Sequence, residues 1–306
     1  MRAIQSDSYG PPDVLHLVDL PVPVPGLSEV LVRVAAAGLN PTDLGSRAGE
    51  SAEFYGPGPH VWGWDISGTV VAVGPGVASW RVGDEVYGMP RFPAPAHGYA
   101  EYVAAPAHQL AAKPAGLDHA HAAGLPLAGL TALQLLDLTG VSAGHRVLVN
   151  AAAGGVGHLA VQLAKARGAY VLGTARAVNH GFLRSLGVDV PVDYTVPGAL
   201  DGLDADVVLD AAGAEGALAA VRDGGVFGWL HVAVSEELAA AARARDVRIA
   251  AHLVHPDGHG LARLGALVDA GALRVELAEV FPLAEAARAH ATLATGRVRG
   301  KLVLAL

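Results

Sequence analysis

The sequence predicts an α/β protein in two parts, a β-rich domain and a doubly wound parallel sheet. Three observations carry that prediction. A strand, a glycine turn, a helix and a second strand follow one another between Arg146 and Arg176. Near His119 the pattern changes from short strands to strands that alternate with helices. The second part also offers six candidate strands, the number expected of a full dinucleotide-binding sheet.

Residues 1 to about 116 read as β-rich. Val14–Asp19 and Glu29–Ala37 alternate or run apolar, and Pro21, Pro23 and Pro25 mark an extended connector between them. Ser67–Gly74, Val82–Tyr87 and Tyr99–Ala104 supply further short strands, separated by Gly74-Pro75-Gly76 and Gly83-Asp84 turns. Such spacing predicts a small barrel or sandwich. Ala120–Gly140 is helical in pattern, with breaks expected at Pro126 and Gly129. After the Arg146–Arg176 unit, strands are expected at Val190–Val192, Asp206–Asp210, Gly225–Val232 and Val247–Leu253, with a helix over Glu236–Arg245. Ser235 reads as that helix's N-cap rather than as a nucleophile. Helices over Leu261–Ala270 and Leu283–Ala294 and a strand over Gly300–Ala305 complete the chain.

In the central unit, Val147, Leu148 and Val149 form the apolar run of a strand buried on both faces. Ala152-x-Gly154-x-x-Gly157 then follows the dinucleotide fingerprint, with Ala152 where the first glycine usually stands. Gly154 lets backbone approach a pyrophosphate, and Gly157 lets the helix lie close on the strand. The helix start at Gly155 and Val156 leaves unpaired N–H groups and partial positive charge for an anion. Lys165 and Arg167 sit in its last turn, and Gly168 is expected as a left-handed cap.

A length of 306 residues allows a large core, yet no apolar run is long enough to span a bilayer. The N-terminus lacks a signal-peptide pattern, so a cytoplasmic protein is expected. Net charge is −8 with no basic block, which argues against nucleic acid or an anionic membrane as partner. The chain has no cysteine, which excludes disulfides, thiolate zinc sites and cysteine nucleophiles. The 14 histidines include His119-x-His121 and the set His252, His255 and His259. No helical spacing makes that second set converge, and no metal site is expected.

Motifs spread over nearly the whole chain resemble the medium-chain dehydrogenase/reductase superfamily. They are GLNPTD (38–43), VWGWDISGTVVAVGPGV (61–77), VGDEVYG (82–88), GYAEYV (98–103), LPLAGLTAL (125–133), AAAGGVGHLAVQLAKARGA (151–169), LRSLGVD (183–189) and GKLVL (300–304). Within it the chain looks like the zinc-free, NADPH-dependent quinone oxidoreductase branch, the zeta-crystallin-like enzymes. The resemblance implies a GroES-like β-barrel catalytic domain over 1–116, a Rossmann NADPH-binding domain over 117–256 and a C-terminal segment, 257–306, returning to the first. It implies pairing as a homodimer through the edge strand of the dinucleotide sheet, here Val247–Leu253. Where zinc-dependent relatives carry ligands, this chain has Asn40, Trp64 and Leu127, none a thiolate or imidazole. Without a metal Lewis acid, a quinone or α,β-unsaturated carbonyl is the expected acceptor, because conjugation delocalises the charge left by hydride addition. An enoyl reductase acting on an unsaturated thioester is the alternative, and a non-catalytic NADPH-binding protein in a structural or sensing role is another.

The strand after the fingerprint helix ends Gly173-Thr174-Ala175-Arg176, with no acid until Asp189 to hold an adenosine ribose. Arg176 offers a planar fork suited to a 2′-phosphate, and Thr174 and Asn179 can add neutral hydrogen bonds, so NADPH is expected over NADH. The resemblance adds Lys301 to the cofactor-binding residues and places Asn40, Asp43 and Thr131 at the reacting end. Asn40-Pro41-Thr42-Asp43 also reads as a capping turn before a helix, and both roles can hold. Many relatives carry tyrosine or lysine as proton donor where this chain has Gly45, so the general acid is unassigned; Tyr55 is near in sequence.

Overall fold

In the computed structural model, which describes residues 1–230 and 233–306, the chain divides at Leu130/Thr131 and again at Val254/His255. Met1–Leu130 and His255–Leu306 form one unit, and Thr131–Val254 forms the other.

The first unit begins with β1 (Arg2–Ser6), β2 (His16–Asp19), β3 (Glu29–Gly38), α1 (Pro41–Ala48), α2 (Ala52–Tyr55), β4 (His60–Val61) and β5 (Asp65–Val73). It continues through β6 (Glu85–Gly88), β7 (Tyr102–Pro106), β8 (Leu110–Ala112), α3 (His119–Ala123) and the start of α4 (Pro126–Thr139). β1 pairs with β2 and β4 in a small antiparallel sheet. The ten-residue β3 is the spine of the larger sheet, antiparallel to both β5 and β7. Val30, Val32 and Val34 point one way along it, as the two-residue strand period requires, and meet Ile66, Val70, Val86 and Val103 in one core. Ile4, Leu39, Trp62, Tyr99 and Phe281 build a second.

The second unit carries a six-stranded parallel sheet: β9 (Arg146–Asn150), β10 (Tyr170–Thr174), β11 (Val190–Val192), β12 (Ala205–Asp210), β13 (Val221–Trp229) and β14 (Arg248–Ala251). Its spatial order is β11-β10-β9-β12-β13-β14, the reversal at β9 being the topological switch point of a dinucleotide fold. Connecting helices include α5 (Gly155–Ala166), α6 (His180–Ser185) and α7 (Glu236–Ala244). Val147, Leu148, Val149, Val207, Val208 and Leu209 are all buried, as central parallel strands should be.

The chain then re-enters the first unit with α8 (Gly258–Asp269), β15 (Leu277–Pro282), α9 (Ala286–Ala294) and β16 (Lys301–Ala305). β16 runs antiparallel to β3, pairing Val303 with Gly38, and parallel to β15.

Two readings need correction. The expected break at Gly129 is absent: α4 runs through it, because a side chain there would stand 2.9 Å from Leu125 and Leu264. The helix does break before Pro126, which opens α4. The strand expected over Gly225–Val232 starts earlier, at Val221, and residues 231–232 lie outside the described residues. Ser235 caps α7 as expected, its hydroxyl accepting the Leu238 N–H at 3.1 Å.

Candidate active site

β3 ends at Gly38, and Leu39 still donates its N–H to Leu302 O at 2.9 Å before the chain turns into α1. Asn40 is the extended N-cap of that helix, Pro41 its first residue. Its N–H donates to Asp43 Oδ2 at 2.6 Å, the carboxylate half of a capping box. The capping role of Asn40–Asp43 is therefore present in the backbone. The Asp43 carboxyl is fully buried, and burial pushes its pKa up to about 7; the nearby Asp65 adds to the rise, while the Asn40 N–H and Lys301 oppose it.

Asp65 starts β5 directly opposite Gly38. A Cβ at Gly38 would meet the Asp65 side chain at 3.0–3.1 Å and Ala123 O at 2.3 Å, so this glycine makes room for the carboxylate. Asp65 Oδ1 accepts the Leu127 N–H at 2.8 Å, in the first turn of α4. Its Oδ2 accepts Asn40 Nδ2–H at 2.9 Å. Lys301 Nζ donates to Asn40 Oδ1 at 2.5 Å and to Leu39 O at 2.7 Å, and lies 3.4 Å from Asp65 Oδ2. Burial raises the Asp65 pKa and lowers that of Lys301; each charge pulls the other back.

Beside Asp43 the Tyr99 hydroxyl is also fully buried, and burial lifts its pKa well above the ordinary value. It lies 3.3 Å from His290 Nε2, whose ring burial drives down to about 3. Asp65, Tyr99 and His290 were not singled out from the sequence. The available signal was a lone carboxylate within a strand's apolar run, which must be paired if buried.

Gly45 is buried in α1, and a Cβ there would stand 2.4 Å from Glu50 Oε2. The reason is the helix end: Gly49 has φ 100° and Glu50 N–H bonds back to Gly45 O at 3.0 Å, the Schellman arrangement that folds the next side chain onto position 45. Tyr55 packs edge-on against Trp62, its hydroxyl donating to Pro93 O at 3.0 Å. Trp64 is buried with its indole N–H on Ala94 O at 2.9 Å.

In the second unit, the fingerprint turn runs from β9 into α5. Ala151 takes φ 53°, and its N–H donates to Thr174 Oγ1 at 2.9 Å. Thr174 in turn donates to Asn150 Oδ1 at 2.5 Å, and Asn150 Nδ2 donates to Asp210 Oδ1 at 2.8 Å. These groups tie together the C-terminal ends of β9, β10 and β12. Thr174 is fully buried, and its hydroxyl is bonded inside the turn. Ala152 is buried; Gly154, Gly155 and Val156 are part-exposed at the helix start, which no side chain caps. A Cβ at Gly157 would stand 2.2 Å from Ala151 O, so the close helix–strand approach does require glycine. Just past β10, Arg176 is part-exposed; its carbonyl accepts the Asn179 N–H at 2.8 Å, closing a single turn, while its side chain has no hydrogen-bond or ion-pair partner among the described residues.

The predicted residues thus fall into two groups. Ala152, Gly154, Gly155, Val156, Gly157, Thr174, Arg176 and Asn179 all lie in the second unit, as does Thr131, buried on α4. Asn40 and Asp43 lie in the first unit, and Lys301 lies with them rather than with the other predicted cofactor residues.

A family model described as an alcohol dehydrogenase GroES-like domain matches residues 26–115, and one described as a zinc-binding dehydrogenase matches 186–304. The chain is 37% identical to an NADPH-dependent alkenal/one oxidoreductase of Arabidopsis thaliana over 99% of its length and 79% of the relative's. It is a medium-chain dehydrogenase/reductase. Its place is in the quinone oxidoreductase branch. The quinone oxidoreductase of Coxiella burnetii superposes with a TM-score of 0.93 at 38% identity, covering 100% of this chain and 99% of that one. The Escherichia coli quinone oxidoreductase, solved with NADPH, superposes at 0.88 with 25% identity over the full length of both. In this medium-chain dehydrogenase/reductase the positions matching zinc ligands do not fit a zinc ion. Leu127 has no ligating side-chain atom, the Trp64 indole N–H is a donor already bonded, and Asn40 Oδ1 faces an ammonium.

Proposed function

We propose that this protein reduces quinones or α,β-unsaturated carbonyls with NADPH as hydride donor, residues 117–256 holding the cofactor and residues 1–116 with 257–306 the acceptor. The observation that carries the reading is the uncapped helix start after the fingerprint turn, together with an Arg176 side chain that has no partner among the described residues. N–H groups of Gly155 and Val156 suit the pyrophosphate, and Arg176, with no acidic neighbour in Gly173–Arg176, suits a 2′-phosphate. The likeness to an NADPH-dependent alkenal/one oxidoreductase and to quinone oxidoreductases supports the same class of acceptor.

Bound NADPH supplies the hydride. Asn40 meets the charge that results: its amide nitrogen donates to the oxygen that becomes an enolate or hydroquinone anion. Asp43 fixes the Asn40 backbone, and Thr131 is assigned to the nicotinamide end. Protonation of the product is left to solvent, since Gly45 has no side chain and the Tyr55 hydroxyl is committed to Pro93.

The test is NADPH oxidation with a panel of quinones, enones and enoyl thioesters, alongside cofactor affinity in Arg176→Ala. A hydrogen bond to a charged group contributes about 1.5–3 kcal/mol, so NADPH affinity should fall roughly ten- to a hundred-fold while NADH affinity barely changes. Equal losses for the two cofactors would refute the assignment of Arg176. Turnover of enoyl thioesters alone favours the biosynthetic alternative, and NADPH binding without turnover of any acceptor favours a non-catalytic role.

A further inference from the structure

We infer that Lys301 and Asp65 are positioning residues for Asn40, setting which way its amide faces, and that Lys301 serves the reacting end rather than the cofactor. The inference rests on Asn40 being the oxyanion donor proposed above.

An asparagine amide has two nearly isosteric ends, one donating two hydrogen bonds and the other accepting. Nothing in its shape decides between them; its neighbours must. Here they are opposite in kind. The Lys301 ammonium only donates and stands 2.5 Å from one end of the amide; the Asp65 carboxylate only accepts and stands 2.9 Å from the other. A flipped amide would set NH2 against ammonium and oxygen against carboxylate, replacing two charge-assisted bonds with two repulsions. The amide is therefore held with Nδ2 toward Asp65. Nδ2 carries two protons, and Asp65 takes one. The second is the proton Asn40 has to offer an acceptor's oxygen.

The ammonium has no comparable reserve. Its three protons face Leu39 O, Asn40 Oδ1 and Asp65 Oδ2, and the side chain is buried. Backbone geometry fixes it there. Continuing the β16–β3 register from Val303 opposite Gly38 sets Lys301 opposite Asn40. Gly300 takes φ 72° where a Cβ would meet Glu276 O at 2.2 Å, and Lys301 N–H bonds the same carbonyl at 2.9 Å. Asp65 is fixed just as firmly, through Leu127 N–H and the space left by Gly38. Two of the three positions where zinc-dependent relatives hold a metal, Asn40 and Leu127, are thus bonded to one carboxylate, with a buried ammonium supplying the positive charge.

The test compares Lys301→Met with the double variant Lys301→Met/Asp65→Asn, which removes both charges and leaves no unpaired carboxylate at position 65. NADPH affinity is read by cofactor fluorescence, and kcat with a naphthoquinone and with an alkenal at saturating cofactor. Both variants should keep the NADPH Kd within about threefold of the parent and lose kcat by about 10- to 1,000-fold, the upper end being the loss of one oxyanion donor. A Kd rise of tenfold or more in the double variant overturns the inference whatever kcat does, because Lys301 would then be a cofactor ligand. Unchanged kcat also overturns it. Absence of turnover in the parent protein would instead count against the proposed function, while the affinity measurement still decides whether Lys301 binds the cofactor.

Discussion

Gly173→Ala and Ala152→Gly should be coupled through a single contact. Ala152 occupies the first glycine position of the fingerprint, and its buried methyl points at Gly173 on β10. A Cβ at 173 would stand 2.9 Å from that methyl and 3.2 Å from Val188, against 3.4–4 Å for ordinary contact. Neither side can yield freely. β10 is hydrogen-bonded to β9 and β11, and Ala152 N–H is bonded to Thr174 O at 2.9 Å. Overpacking of this kind costs about 1–3 kcal/mol, and the shift falls on the Ala151–Gly154 turn that would carry the pyrophosphate. Movement of about 1 Å there is enough to cost up to roughly 10²-fold in function.

Ala152→Gly alone removes a methyl, about 0.8 kcal/mol of burial, and adds about 0.5–1 kcal/mol of backbone entropy. In that background Gly173→Ala finds the space vacated, so its own penalty should largely vanish. NADPH dissociation constants for the parent, both single variants and the double variant complete the cycle without assuming two-state unfolding of a two-unit chain. A coupling of about 1 kcal/mol or more is expected. If the two changes add to within about 0.5 kcal/mol, the methyl of Ala152 and the bare Gly173 are not complementary, and the explanation for alanine at this position is wrong.

Asp43→Asn should change how stability depends on pH. Burial holds the Asp43 carboxyl up at about 7, against about 3.9 in an unfolded chain, so the folded state binds the proton more tightly. The stability tied to that proton is full below about pH 4, drains away as pH rises to about 7, and stays lost above. An asparagine is neutral throughout and its carbonyl can still accept the Asn40 N–H. The variant's Tm relative to wild type should therefore rise from pH 4 to pH 8; a constant difference refutes the buried, proton-holding carboxyl. Ser235→Ala should destabilise α7 by about 1 kcal/mol through loss of the bond to Leu238 N–H, seen as a lower Tm with unchanged kcat. Lost turnover at unchanged Tm would instead mean that the hydroxyl takes part in chemistry.

The dinucleotide unit was legible because its signals are local: strand, turn, helix and Gly168 cap follow one another within about 30 residues. All six predicted strands of that sheet form, and their order follows from the fold rule rather than from any single residue. The first unit was less legible. β1 is five residues long and β15 ends in Glu279-Val280-Phe281-Pro282, too little alternation to stand out. α1 carries Pro41, Gly45 and few apolar residues, so the capping turn at Asn40–Asp43 is what announces the helix after it. At Gly129 propensity pointed to a break, and packing against Leu125 and Leu264 overrode it. Asp65 lies 25 residues from Asn40 and Lys301 lies 261 away, so it takes the pairing of both β5 and β16 with β3 to bring the three together.

The site residues that sequence alone cannot rank share one physical reason. Residue type states how many hydrogen bonds a side chain can make; only its surroundings state how many it has left. Thr174 and Arg176 look equally suited to a cofactor from two positions apart on the chain. Thr174 donates its one proton to Asn150 and accepts the Ala151 N–H, and its side chain is fully buried. Arg176 has five N–H donors and no partner among the described residues. Lys301 and Asn40 repeat the contrast in the other unit: the ammonium is saturated by Leu39, Asn40 and Asp65, while the amide it orients keeps one proton in hand. Unspent donors are where an anion can bind, and on that count the part-exposed Arg176 and the second Nδ2–H of the buried Asn40 qualify, one for a phosphate and the other for the oxygen that receives the charge.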